Sequence, residues 1–433
     1  MGFADTLSDG QRRKYRWTAI MSAWFGCVSE QLLDSNSLII IYLIALGGNE
    51  SFSMFSTALS TIFGMCLVIP CAGLASKIGL RASYGMSCIV SMLAFLTMAA
   101  APSIVPAAYA KYLVMIGCAI YCMMRFPYSV SWYPILDMFL KPEERGSFFG
   151  TMRFSYMLIN AAIIYGIGKL LGKNPSIEIM QIVIAVAGVL VLGRKFCMDR
   201  LPDNPEVRKN KIDIGKALNI SIRNAPLVGF SFYSCFFNIA VSSAMPLAVI
   251  YMKTTLNFSA ETIMTLTSIY LVGLISGFAL VGVSMRKLGA RYFQIIMHTL
   301  HIIAIGWLCF ILPQTPYAAV CMGVVMFILG FAQSFCLCLN STEMMASAKP
   351  GNKIMAMAFC LTFSNIGTSI GRTGTTLVLA AGVLAPEWQF FGKSMSCYNF
   401  MFMFCFVLTV FFYIFLILSP SIISKHDDYY ESR

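Results

Sequence analysis

The chain has 433 residues, of which 58% are hydrophobic and only 12% charged, whereas soluble domains are about half apolar and a quarter charged. A water-soluble fold would have to hide runs of twenty or more apolar residues many times over, so a bilayer is the expected solvent. The formal charge of +12 lies mostly in loops between apolar runs, which fits membrane orientation and not nucleic-acid binding.

The first apolar segment, Trp17 to Leu46, follows a basic start, Gln11 to Arg16, with no small-residue cleavage site, so no removable signal is expected. Its middle carries Glu30 and Asp34, one helical turn apart and therefore on one face. Charges at bilayer depth are costly and face a cavity or a partner. Two readings follow: a buried pair satisfied by a neighbouring helix, or a proton- or cation-coupling site in a transporter. The second is favoured here, with Gln31 and Asn36 as further oxygen donors should the ion be sodium.

Apolar segments of spanning length occur at about 17–46, 52–75, 82–102, 106–138, 148–171, 176–195, 226–252, 260–284, 291–312, 316–342, 354–385 and 397–423. Twelve membrane-spanning helices are expected, in an all-α membrane protein. Span four holds Arg125, with Tyr128 and Trp132 further along and Pro127 and Pro134 to bend it. A salt bridge to span one is the structural reading of Arg125; a bridge that loosens on binding a proton, cation or solute is the functional one. Asp34 is expected to pair with Arg125, leaving Glu30 to exchange.

The long polar interruption, Arg194 to Asn224, divides the chain into a first half (1–193), a central loop (194–224) and a second half with a short tail (225–433). In the second half, Asn238, Gln333 and Asn365 offer polar groups within spans. Arg372 in span eleven has no intramembrane acid in that half, which makes it the leading candidate for contact with an oxygen-rich or anionic solute, against snorkelling to an interface. Gly367 and Gly371 have the spacing that permits close helix contact. His298 and His301 in span nine are expected to be satisfied structural histidines. Fifteen Cys, scattered in apolar runs, read as small hydrophobes without metal-ligand spacing.

Of 31 basic residues, 24 fall on the side bearing both termini and the central loop, and five on the other, so that side is cytoplasmic. A repeat supports the division. Lys77, Gly79 and Arg81 after span two align without gaps with Lys287, Gly289 and Arg291 after span eight, with Arg286 beside them.

On these loops the chain resembles the major facilitator superfamily, whose signature is Gly-x-Leu-Ala-Asp-Arg-x-Gly-Arg-Arg. Leu74, Ala75, Gly79 and Arg81 are kept, Lys77 takes the first basic position, and Ser76 and Arg286 stand where the family has an acid. After span four, Asp137 with Glu144, Arg145 and Gly146 looks like the corresponding loop of bacterial members, several of them found with carbohydrate utilisation. The resemblance implies two pseudo-symmetric six-helix bundles around a central cavity lined by spans one, four, seven and ten. It also implies gating roles for these loop residues.

No phosphate-binding loop, metal cluster or nucleophile–base set stands out, so neither an ATP-driven pump nor an enzyme is expected, and no cofactor. The favoured reading is a secondary transporter in the inner or plasma membrane, acting as a monomer. It imports a small polar solute such as a sugar, oligosaccharide or sugar acid with a proton or sodium ion. Its expected partners are that solute, the coupling ion and the lipid bilayer, with no nucleic acid. A facilitator or exporter of amphipathic molecules and a non-transporting receptor are the alternatives.

Overall fold

The computed structural model describes residues 6–34, 37–140, 142–173, 175–202, 214–349, 352–390 and 392–418. Helix dominates, as it must where no water is at hand to satisfy backbone groups. The first half comprises α1 (Asp9–Asp34), α2 (Ser37–Ala45), α3 (Glu50–Ile78), α4 (Leu80–Ile104), α5 (Ala107–Asp137), α6 (Pro142–Leu171) and α7 (Ile177–Met198). After α8 (Ile214–Ile222) come α9 (Ala225–Val241), α10 (Ala244–Thr254), α11 (Ala260–Leu308), α12 (Ala318–Ala346) and α13 (Lys353–Ala381). A hairpin of β1 (Glu387–Phe390) and β2 (Lys393–Ser396), with Glu387 opposite Ser396, leads into α14 (Cys397–Leu418).

Among the described residues nine helical stretches are long and apolar enough to cross a bilayer, α1 and α2 make a tenth bent by 49°, and Tyr292–Leu308 is a shorter apolar helix. The 29 residues of α13 are long enough too, but Ser364, Asn365, Thr368, Ser369 and Arg372 interrupt their apolarity. Together these correspond one for one to the twelve apolar segments read from the sequence.

Local chemistry sets the helix ends. Asn49 Oδ1 accepts from Phe52 N at the start of α3 (2.8 Å), and Ser176 and Ser259 cap α7 and α11 in the same way. Gly79, at φ +92°, is the whole connection between α3 and α4, and the absence of a side chain makes that backbone accessible. In the first half α1 packs on α6 and α7, α3 on α5, and α4 on α5 and α7; in the second, α9 packs on α13 and α14, and α11 on α12 and α14. The two sets meet along α3–α13 and α6–α11.

Three features differ from the sequence reading. Arg194 and Lys195 belong to the last turns of α7, not to the linker, because Val191, Arg194, Cys197 and Met198 continue one buried face. The backbone of α11 is helical throughout, so spans eight and nine are joined without the expected loop. The β-hairpin lies between the segments read as spans eleven and twelve, where the sequence reading placed no element. The side chains of Asp34, Asp137, Glu144, Arg145, Arg286, Lys287 and Arg291, and the surroundings of Gly146 and Gly289, lie outside the described part of the structure.

Candidate functional site

Arg194 reaches from α7 across to α1, where Gly26 and Glu30 lie one turn apart on the facing side. A Cβ on Gly26 would sit 1.5 Å from Arg194 Nε, so a side chain there would push the guanidinium from this position against the helix. Arg194 Nη1 lies 2.5 Å from Glu30 Oε1, with the arginine side chain 8% exposed and the glutamate 26%. The ring of Tyr128 on α5 lies 4.2 Å from the guanidinium carbon, a cation–π contact in a desolvated place. Arg194 Nε is buried and has no hydrogen-bond partner among the described atoms.

Around this pair Tyr121 Oη donates to Ser29 Oγ (3.4 Å), and Ser29 Oγ donates to the Gly26 carbonyl (3.0 Å). Ser87 Oγ donates to the carbonyl of Met124. Arg125 is half-buried on α5, 3.5 Å from Ser60 Oγ of α3, and its charge acts on Glu30. These groups enclose a cavity of about 10 Å³ lined by Ser29, Glu30, Ser87, Tyr121, Arg125 and Arg194 among others. That is about the space one water molecule needs. All its walls come from α1, α4, α5 and α7, within the first half.

The structure thus brings together Glu30, Arg125 and Tyr128, and adds Arg194, Gly26 and Tyr121. Glu30, expected to stand apart from a bridge, is held in one by Arg194. The buried periodicity of 191, 194, 197 and 198 is the signal that could mark Arg194; nothing in the sequence marks Gly26.

Among the described residues, only Trp132 of the remaining candidates adjoins this site. Trp132 stacks on Tyr128 (5.8 Å between centroids) in an apolar cluster with Ile135 and Phe139. Asn238 Nδ2 donates to Ser234 O (2.7 Å) and to Ser364 Oγ (3.0 Å), an interhelical bond between α9 and α13. Asn365 abuts α3, where a Cβ on Gly64 would fall 2.5 Å from its Nδ2. Gln333 is half-buried on α12. Arg372 donates from Nε to the Ser242 carbonyl (3.3 Å) and from Nη1 to the Thr57 carbonyl of α3. The expectation that it lacks a partner considers acids only; backbone carbonyls fill that place. Buried His298 Nε2 shares a hydrogen bond with Tyr233 Oη (2.7 Å), while its Nδ1 has no partner among the described atoms.

At the end of the bundle where α1 begins, Lys77 is exposed and Arg81 Nη2 donates to the Leu201 carbonyl (3.0 Å). Beside it Asp199 accepts from Tyr84 Oη and Lys195 Nζ, each at 2.7 Å. Partial burial raises the Asp199 pKa, but the Lys195 and Tyr84 hydrogen bonds outweigh it and hold the carboxyl below its ordinary value. This cluster fastens the end of α7 to α4 inside the first half.

A family model, the Major Facilitator Superfamily, matches residues 23–372. No curated protein matches the sequence. Among solved structures, a mutant form of the nucleoside transporter NupG is similar, at TM-score 0.71 and 14% identity over 93% of this chain and 99% of that one. A D-xylose-proton symporter gives 0.72 and 14% over 93% and 96%. The xylose transporter XylE from E. coli, in a partially occluded inward-open conformation, gives 0.68 and 12% over 94% and 99%. With most of its length matched by the family model and its fold shared with these transporters, this chain belongs to the major facilitator superfamily.

Proposed function

We propose that the chain moves a small polar solute, of the sugar or nucleoside kind, by alternating access between halves 1–193 and 225–433, and that a proton drives it through Glu30. The observation that carries the coupling is the 2.5 Å Arg194–Glu30 pair inside spans one and six. Protonation of Glu30 removes its charge and frees the guanidinium, so one proton exchanges one buried electrostatic arrangement for another. A proton fits this place better than sodium. The Glu30 carboxylate already faces Arg194 and feels Arg125, and a hard cation needs several oxygen ligands free of competing positive charge. Similarity to a nucleoside transporter and to a D-xylose-proton symporter supports the cargo class. The basic residues of the loops support an inner- or plasma-membrane protein with both termini cytoplasmic.

The test is uptake into proteoliposomes of a panel of labelled sugars and nucleosides, with an imposed pH gradient, a sodium gradient or neither. Accumulation that follows the pH gradient and disappears in Glu30→Gln, with solute exchange retained, is the expected result. Accumulation driven by sodium alone, or uptake that never exceeds equilibration, would overturn the coupling.

A further inference from the structure

Span seven is broken. Helix α9 ends at Val241 and α10 begins at Ala244, with Ser242 and Ser243 between them. Pro246 lies four residues beyond Ser242 and carries no N–H, so the Ser242 carbonyl loses the donor that an unbroken helix would supply. Arg372 Nε stands 3.3 Å from that oxygen. The approach of α13 that brings it there is close: a Cβ on Gly367 would lie 2.0 Å from the Cys235 carbonyl, and one on Gly371 2.7 Å from that of Ile239. The same guanidinium donates through Nη1 to the Thr57 carbonyl of α3, in the other half of the molecule.

Further contacts between the halves lie at this end, away from the start of α1. Lys169 at the end of α6 meets Glu261 at the start of α11 (2.5 Å), and Glu261 N donates to the Gly172 carbonyl (3.1 Å). These contacts join the halves at this end, and parting α3 from α13 would break the Arg372–Thr57 bond.

We propose that Arg372 is the clamp of this end: it replaces the backbone donor that Pro246 removes from the break in span seven and ties that break to α3. Opening then requires Nη1 to release Thr57, while Nε keeps the freed end of α9 capped. The planar guanidinium suits this work because it presents donors in two directions at once.

Hydrogen exchange of the full chain in nanodiscs, without any solute, tests it. R372M should raise amide exchange about tenfold in both 53–61 and 244–254, through lost charge-assisted bonds. R372K, whose ammonium cannot span both carbonyls, should raise it in one of the two segments and serves alone if R372M does not fold. In P246A, which restores an N–H opposite the Ser242 carbonyl, the effect of R372M on 244–254 should shrink while that on 53–61 persists. Unchanged exchange in R372K and R372M, or an effect on 244–254 of full size in P246A, would overturn the clamp.

Discussion

Arg194 Nη1 and Glu30 Oε1 stand 2.5 Å apart across the contact of α7 with α1, linking the first and last spans of the first half. Taking two charges out of water is costly, and their attraction offsets it only while both are present. Arg194→Met should therefore destabilise the protein by about 3–5 kcal/mol by stranding Glu30. The double variant Arg194→Met/Glu30→Gln should recover most of that loss, read as thermal unfolding in detergent. A double variant no more stable than Arg194→Met would show that packing, and not charge pairing, holds the contact.

Gly26 is the second half of the same contact. A methyl group there meets the guanidinium at 1.5 Å from Nε, and overpacking of this kind costs about 1–3 kcal/mol. The cost of Gly26→Ala should fall in an Arg194→Met background, giving a measurable interaction energy in a double-mutant cycle. Strict additivity of the two substitutions would contradict the fitted slot.

Asp199 gives a pH dependence with a definite sign. Burial raises its pKa, but Lys195 and Tyr84 lower it further, so the net shift is downward. A depressed folded-state value means stability that is complete above the unfolded value of about 4 and lost as pH falls through the folded one. Asp199→Asn should thus lower stability at neutral pH and flatten the acid arm of the stability curve in nanodiscs. An acid arm as steep as in the parent protein would rule this out.

In the Lys169–Glu261 pair between the halves the lysine side chain is 55% exposed and the glutamate 29%. Exposed pairs contribute little and are screened by salt. Lys169→Ala should change transport by no more than about fivefold, and the change should fade as ionic strength rises. A larger, salt-insensitive loss would give this pair a role beyond surface attraction.

Much of this protein is legible in local sequence. Twelve apolar runs, the basic loops, Gly79 at the turn and the acid Glu30 within span one follow from hydropathy, charge and backbone freedom, which act residue by residue. Tertiary structure alone decided the partners. Glu30 and Arg194 are 164 positions apart, and which arginine meets which acid depends on how α7 rotates and slides against α1, a matter settled by packing. The slot at Gly26 exists only once those helices touch. Arg372 likewise found carbonyls of Ser242 and Thr57, because backbone oxygens, present at every residue, become distinctive only where a broken helix and a second half of the molecule bring them within reach.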